Sequence, residues 1–188
     1  SRLLLQKRDY KALENFVIKS YNEFENEKLF DRSNHNDKLT ILTYIANCLF
    51  KTNKNNQSLK YAELLLNSMK EYDGLLYDKY LFFYYNILVS NYSVTDKEKA
   101  LNYLDKASNN EVIKKLPSYN SFIYLNRSLI YYDQDKFKKS KQNISRLIMQ
   151  KDFLLLDQSF QLKILIISII ISCKNSEKNM LDKINDIR

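Results

Sequence analysis

The chain has 188 residues, of which 45% are hydrophobic, and it carries a formal net charge of +8. This length suits one domain and is enough to bury a sizeable core. Gly74 and Pro117 are its only glycine and proline, so the chain lacks the turn residues that β-hairpins and β-sheets need. It also lacks the glycines of a phosphate-binding loop. The composition therefore predicts an all-α fold in which polar turns join the helices.

The apolar pattern predicts helices along the whole chain. Their expected ranges are 9–26, 36–53, 56–72, 76–92, 96–109, 118–133, 135–150, 157–174 and 176–187. In the segment DKEKALNYLDKASNN, Ala100, Leu104 and Ala107 recur at steps of three and four residues, which places them on one helix face. Asp96 precedes this helix and is its expected N-cap. Short connections between such helices favour antiparallel neighbours.

The sequence repeats with a period of about 40 residues. The aligned positions are Tyr44, Tyr84, Tyr124 and Ile164 in the first helices, and Ala100, Ser140 and Met180 in the second helices. In the first unit, Ala62, Leu66 and Met69 are expected to fill the second-helix positions. A single helix pair cannot bury its apolar face alone, so the repeat predicts stacked pairs that share a continuous core.

Two segments, 121–148 and 84–107, resemble the tetratricopeptide repeat. The matching anchors in the first segment are Tyr124, Asn126, Ser128, Tyr131, Phe137, Ser140 and Leu147. The resemblance, which covers about residues 36–188, implies a right-handed α-solenoid of about four antiparallel helix pairs. We expect residues 1–188 to form a single domain that is part of a longer chain. The period exceeds the usual 34 residues and the family glycine is missing, so another α-solenoid, such as a HEAT-like array, is the alternative.

The resemblance implies a concave groove that is lined by the first helix of each pair and binds a protein or peptide. The residues expected to face it are Tyr85, Asn86, Val89 and Tyr92 in one unit, and Leu125, Asn126, Leu129 and Tyr132 in the next. Tyrosine suits recognition because it offers a large contact area and a polar tip. The other interpretation is that these tyrosines pack between repeats. The leading hypothesis for function is a non-catalytic scaffold.

A basic run opens the second helix of the third unit. Its members are Lys136, Lys138, Lys139, Lys141 and Arg146. Phe137 and Ser140 are expected to point inward, which places the lysines mostly on the outer side of the helix. A solvated helix face is the first interpretation, since a lysine-rich composition fits an AT-rich genome. The alternative function is a helical-repeat protein that binds nucleic acid through these lysines.

Candidate catalytic residues are scarce. His35 is the only histidine, and its segment DRSNHNDK is typical of a helix entrance, so it is expected to be a cap or loop residue. Cys48 and Cys173 lie in apolar patterns and are expected to be small core residues. We therefore expect no catalytic site, no metal site and no cofactor.

The C-terminal region contains the most apolar segment, LKILIISIIISC, at residues 162–173. It is too short to span a bilayer, so we expect a buried helix and no membrane span. The helix expected at 176–187 carries Met180, Leu181, Ile184 and Ile187, more apolar residues than a solvated cap needs. Further chain or a partner is therefore expected to cover this end. The expected localisation is cytoplasmic, with a chain that has lost a signal peptide as the alternative.

Overall fold

The computed structural model describes residues 4 and 6–185, with side chains described up to residue 177. The long helices are α1 (Tyr10–Asn26), α2 (His35–Lys51), α3 (Asn55–Ser68), α4 (Tyr77–Thr95), α5 (Lys97–Ser108), α6 (Asn126–Tyr132), α7 (Phe137–Ile148) and α8 (Gln158–Asn185). A turn at Glu71–Gly74, in which Tyr72, Asp73 and Gly74 have positive φ, follows α3, and a single helical turn occupies Glu111–Lys114. A π-turn at Ser121–Leu125 leads into α6, and a 3₁₀ turn at Lys151–Leu155 precedes α8. No strand occurs in these described ranges, which confirms the all-α prediction there.

The chain divides into two compact units, Ser1–Tyr103 and Leu104–Arg188, and the division falls inside α5. In the first unit, α1 packs on α2, α2 on α3 and α3 on α4, and α2 also packs on α4. In the second unit, α7 lies between α6 and α8 and contacts both. Each of the helices α1 to α3 in the first unit, and α6 and α7 in the second, therefore packs on the helix that follows it in sequence.

Polar residues in a left-handed conformation form the turns of this nearly glycine-free chain. Lys28, Asn53 and Asp135 follow the ends of α1, α2 and α6 with φ values of 54°, 61° and 55°. The amide of the next residue then reaches back to the helix: Lys54 N lies 2.8 Å from the Leu49 carbonyl oxygen, and the equivalent bond follows Asp135. This is the usual geometry of a helix end, built here without glycine.

A triplet of fully buried residues recurs in the second helix of each pair. Its members are Ser58, Ala62 and Leu65 in α3, Ala100, Leu104 and Ala107 in α5, and Ser140, Ile144 and Leu147 in α7. The spacing within the triplet is constant, so all three helices bury the same face. In the first repeat, the predicted residues Ala62 and Met69 are fully buried, whereas Leu66 is only half-buried. The triplet begins at Ser58, four residues before Ala62, which was predicted as its first position.

Serine side chains bond the paired helices together at this triplet. Ser58 Oγ donates to the Ala46 carbonyl oxygen at 2.7 Å. Between α6 and α7, Ser140 Oγ donates to the Ser128 carbonyl oxygen at 2.8 Å, and Ser128 Oγ lies 2.9 Å from the Ser140 carbonyl oxygen. Each bond joins residues that are twelve positions apart in the chain. The small serine side chains let the two helix backbones approach closely, and the bonds to the opposing carbonyl oxygens satisfy the serine hydroxyls.

Buried polar groups also hold α1 against the turn after α2. Glu14 is 4% exposed; its carboxylate accepts bonds from Lys54 Nζ at 2.5 Å and Thr52 Oγ1 at 2.6 Å. Burial raises the pKa of Glu14, but the bonds from Lys54 and Thr52 and the charges of Lys54 and Lys11 outweigh it, so the pKa is lowered. The ion pair is satisfied at both oxygens, which is the condition for burying a charge.

The helix α8 is a single element and not the predicted pair at 157–174 and 176–187. The segment around Asn175 contains no glycine or proline to end a helix, and Ser176 Oγ bonds back to the Ser172 carbonyl oxygen at 3.0 Å within it. The predicted apolar side chains Met180, Leu181, Ile184 and Ile187 lie outside the residues whose side chains are described.

The prediction that segment 162–173 is buried is wrong for most of its residues. Ile164 and Ile171 are buried, but Leu162 and Ile169 are 59% and 64% exposed. One 20-residue stretch, Gln158–Glu177, is long and apolar enough to cross a membrane by length and composition. The prediction that the apolar segment is too short to span a bilayer considered only the twelve residues 162–173. It is therefore also wrong as to length, because the polar residues at both ends of the segment continue the same helix.

We predict that Ala100→Phe overpacks the buried face of α5. Ala100 is fully buried, so a phenylalanine ring must displace its neighbours and cost about 1–3 kcal/mol of unfolding free energy. The control is Asn102→Phe on the exposed side of the same helix, which should stay within about 0.5 kcal/mol of the parent. Urea denaturation followed by circular dichroism measures both. Equal stability of the two variants would contradict the close contact.

Candidate functional site

A cavity of about 220 Å³ opens between α2 and α4 in the first unit. We call it the Tyr80 slot. Its lining residues are Asn36, Thr40, Thr43, Tyr44, Lys79, Tyr80 and Phe83. Three aromatic rings make its walls largely apolar, and an amide, an ammonium and several hydroxyls supply hydrogen-bonding groups. A concave apolar site with a few fixed polar groups is typical of ligand-binding sites.

The hydroxyl of Tyr80 is held by α2. It lies 2.9 Å from the Asn36 carbonyl oxygen and 2.6 Å from Thr40 Oγ1. Thr40 Oγ1 itself lies 2.7 Å from the same Asn36 carbonyl oxygen. Tyr80 is 4% exposed, and this burial raises its pKa, with the Thr40 bond opposing the shift. The ring is therefore neutral and fixed before any ligand arrives.

Lys79 and Phe83 form the open rim of the Tyr80 slot. Lys79 Nζ donates to Asn36 Oδ1 at 2.6 Å and lies 5.7 Å from the centre of the Tyr80 ring. Phe83 is 41% exposed and its ring centre lies 5.8 Å from that of Tyr80. The rim thus offers a cation held in place by a neutral amide, beside an accessible aromatic surface.

A second cavity, of about 290 Å³, lies elsewhere in the first unit. We call it the tyrosine slot. Its lining residues are Asn56, Leu59, Lys60, Glu63, Leu66, Tyr84, Leu88, Tyr92 and Tyr103. The rings of Tyr92 and Tyr103 stack at 5.4 Å with planes 10° apart, and the Lys99 ammonium lies 5.5 Å from the Tyr92 ring centre. Burial and neighbouring tyrosines raise the pKa of Tyr84 to about 12.

The four site residues predicted on α4 do not share one surface. Val89 is 1% exposed, so its prediction as a partner contact is wrong: it belongs to the core. Tyr92 lines the tyrosine slot. Tyr85 is half-buried, its ring 5.8 Å from that of Tyr84, and burial, then Tyr77 and Tyr103, raise its pKa. Asn86 is half-buried.

The sequence prediction missed the residues of the Tyr80 slot. The 40-residue register contains the signal that could have found it, since Thr40 and Tyr80 are 40 residues apart and their hydroxyls meet. Lys79 and Phe83 are four residues apart on α4, as Asn36 and Thr40 are on α2, so each pair shares a helix face. The prediction used the aromatic positions of the second half of α4 instead of those at its start.

The predicted residues of the second unit are mostly engaged within it. Asn126 Nδ2 donates to the Phe122 carbonyl oxygen at 2.7 Å, so the amide of this predicted groove residue bonds its own helix at the π-turn. Leu125 and Tyr132 pack partly buried against the core that contains Ile144. Leu129 is 39% exposed.

The basic run lies on the outside of α7, as predicted. Its exposed members are Lys136, Lys138, Lys139, Lys141 and Arg146. Ser140 is buried and Phe137 half-buried, which confirms the inward face. Around the helix, Lys141 and Lys139 lie at the two edges of the outer face, and Lys138 and Arg146 lie between them. The run is therefore spread across the outer half of the helix and does not form a narrow stripe.

His35 differs from its prediction, because it is 1% exposed and neither ring nitrogen has a hydrogen-bond partner. Asn34 is the residue that precedes α2. The His35 Nδ1 atom lies 3.7 Å from a Glu71 carboxylate oxygen, and Lys38 Nζ lies 3.0 Å from the other oxygen. The Tyr72 ring meets the imidazole edge-on at 4.9 Å. Burial lowers the pKa of His35, opposed by Glu71 and reinforced by Lys38.

The two cysteines occupy different environments. Cys48 is buried, as predicted, and burial together with Glu14 raises the pKa of its thiol to about 11. Cys173 is exposed, so the prediction that it is a core residue is wrong: it lies on the outward face of α8. Within the described residues, no group of three or more His, Cys, Asp or Glu side chains is placed to hold a metal ion.

Comparison with known proteins leaves the tetratricopeptide likeness as a resemblance of sequence pattern. No protein-family model, curated protein sequence or solved structure matches this chain. The helical architecture agrees with a helical repeat, and the recurring buried triplet supports the repeat within the chain itself.

We predict that stability falls between pH 7 and pH 5 because of His35. Its folded-state pKa lies below the unfolded value of about 6.5, so the unfolded chain takes up the proton first. The stability from the neutral, buried ring is therefore complete above about pH 6.5 and is lost as the pH falls below it. Urea midpoints should drop over this range in the parent chain and less in the His35→Gln variant.

The single histidine also gives a direct readout. Its imidazole proton resonances are unique in the NMR spectrum, so the folded and urea-unfolded pKa values can both be measured on the unsubstituted chain. A folded-state pKa equal to or above the unfolded one would contradict the effect of burial. Carboxylates with lowered pKa, such as Glu14, titrate below this pH window.

Proposed function

We propose that the chain is a non-catalytic binding module that holds a protein or peptide segment in the Tyr80 slot. The observation that carries the proposal is the slot itself: a cavity of about 220 Å³ with apolar walls, an exposed phenylalanine and a fixed ammonium at its rim. An apolar side chain of a peptide fits the walls, and a peptide carbonyl or carboxylate oxygen can accept a bond from Lys79. We infer that recognition needs both contacts.

Pre-organisation supports this site over the residues predicted from sequence. The Tyr80 hydroxyl and Thr40 are already bonded to α2, so a ligand would not have to order them. Tyr92 and Tyr132, in contrast, use their rings on internal partners, Tyr103 and Phe137. Substitutions that remove those rings would disturb internal packing as well as any binding surface.

Nucleic-acid binding by the basic run is the second candidate. The observation in its favour is that all five basic side chains of the run are exposed. Their spread across the outer face of α7 favours a solvated face. The position of Lys139, whose ammonium lies 5.5 Å from the Tyr131 ring centre, favours it too. Phosphate binding by several lysines would show a steep dependence on salt.

We predict that Phe83→Ala weakens peptide binding about five- to thirtyfold, equivalent to roughly 1–2 kcal/mol. Peptides selected on the full chain from a display library supply the ligands, and fluorescence anisotropy measures Kd. Lys79→Ala should weaken binding less, with an effect that shrinks as salt is added. The matched controls are Leu64→Ala, at a side chain of similar exposure on α3, and Lys70→Ala, at another exposed lysine.

The contrary results are defined by the same assay. The proposal that peptides bind in the Tyr80 slot is wrong if the Phe83 and Leu64 variants bind peptide equally well. It is also wrong if the selection yields no peptide with micromolar affinity. Charge reversal at Lys138, Lys139 and Lys141 should leave peptide binding unchanged. If no peptide binds, and the charge-reversal variant loses a salt-sensitive binding to an oligonucleotide that the parent chain shows, nucleic-acid binding replaces peptide binding in the Tyr80 slot as the proposed function.

A further inference from the structure

The helix α8 presents an unpartnered apolar face. Its exposed members are Leu162, Leu165, Ile166, Ile169 and Ile170, between 42% and 64% exposed. Steps of three and four residues place them on one side of the helix; we call this side the Ile166 face. Ile164 and Ile171, on the opposite side, are 0% and 1% exposed and pack into the core of the second unit.

Apolar and basic side chains border the Ile166 face. The turn that leads into α8 exposes Leu154 and Leu155 by 76% and 85%. Lys163 and Lys174 are exposed, and their separation of eleven residues, or three helical turns, places them along the same edge of the face. Lys174 Nζ also lies 2.8 Å from a Glu177 carboxylate oxygen. A stripe of Leu and Ile edged by lysine is the pattern of a helix that lies in a membrane interface.

The position of α8 favours a helix lying flat over one that crosses a bilayer. The stretch Gln158–Glu177 has the length and hydropathy of a membrane span, yet only 11% of it is buried. The buried side chains are Ile164 and Ile171, with Phe160 and Ile167 packed partly buried beside them. Crossing would withdraw these residues from their core, whereas lying flat uses the outward face and keeps the inward face packed.

Charge distinguishes an anionic surface from a second copy of the chain. Residues 104–188 contain fifteen Lys and Arg against nine Asp and Glu, which makes this unit +6, whereas residues 1–103 carry +2. Two such units would repel each other. Five partly exposed side chains also fall far short of the 20–30 residues a side that a stable protein interface uses.

We propose that the Ile166 face, with Leu154 and Leu155, binds an anionic membrane surface. Burial of the Leu and Ile side chains at the boundary between headgroups and acyl chains supplies the apolar contribution. Lys163 and Lys174 are attracted to the negative surface potential of an anionic leaflet. The Ile166 face and the Tyr80 slot share no residues, so the failure of either proposal leaves the other standing.

The first test exploits the absence of tryptophan from the chain. Ile169→Trp places a single tryptophan on the Ile166 face, and Val94→Trp places one at a 67% exposed position on α4 as the control. With vesicles of phosphatidylcholine and phosphatidylserine, fluorescence of the first variant should shift to the blue and be quenched by lipids brominated near the headgroup. The control should change little. Vesicles of phosphatidylcholine alone should give a much smaller shift.

The second test measures the partition coefficient by vesicle sedimentation. Replacing Ile166 and Ile169 with Asn should lower it at least tenfold, whereas the same replacement at Leu64 and Val94, two exposed apolar positions elsewhere, should not. Reversing Lys163 and Lys174 to Glu should lower it about tenfold or more. Reversing Lys19 and Lys70 makes the same change in net charge away from the face and should have a smaller effect. Circular dichroism confirms that each variant is folded.

Any one of four results would overturn the proposal. The parent chain fails to bind anionic vesicles, or the Leu64 and Val94 variant loses as much binding as the Ile166 and Ile169 variant. Binding that resists both high salt and alkaline extraction would indicate a crossing helix instead. A dimer detected by light scattering, abolished by the Ile166 and Ile169 substitutions in a chain that ignores vesicles, would assign the face to a second copy.

Discussion

The close approach of paired helices at small buried residues is the constraint on which this structure depends. Ser58 and Ser140 sit at the first position of the recurring triplet, each bonded to a carbonyl oxygen twelve residues earlier in the chain. A serine hydroxyl or an alanine methyl leaves room for the opposing backbone, and the hydroxyl satisfies an oxygen that would otherwise lose hydration. Larger side chains at these positions would separate the helices and open the core. The order of packing within each unit follows from this contact.

The same constraint determines which helix faces remain available. With one side of α4 packed on α3, its first turns can meet α2, where Tyr80 joins Thr40 and Asn36 through hydroxyl bonds. The polar groups that line the resulting slot are held in place because Tyr80 and Lys79 on α4 form hydrogen bonds to Asn36 on α2. At α8 the situation differs. Its inward side packs on α7, while its outward side exposes side chains such as Ile166.

Tyrosine and asparagine serve internal packing more than the sequence suggests. Tyr92 is covered on one face by Tyr103 and approached by the Lys99 ammonium, and burial is the main reason that the pKa of Tyr84 is raised. Asn126 bonds the carbonyl of Phe122 at the π-turn, where the ordinary helical bonding pattern changes. Residue type alone therefore does not distinguish a recognition tyrosine from a packing one, since both functions use the ring area and the polar tip.

The sequence by itself determined the helical class and the ranges of most helices before α8 to within a few residues. It also determined the buried faces of α5 and α7, the N-cap at Asp96 and the exposure of the basic run. These follow from local periodicity and turn chemistry, which are properties of neighbouring residues. The tertiary structure alone decided the register at Ser58, the burial of His35, the exposed face of α8 and the position of the Tyr80 slot. Each of these depends on which helix lies opposite, and hydrophobic periodicity reports that a face is apolar without reporting what covers it.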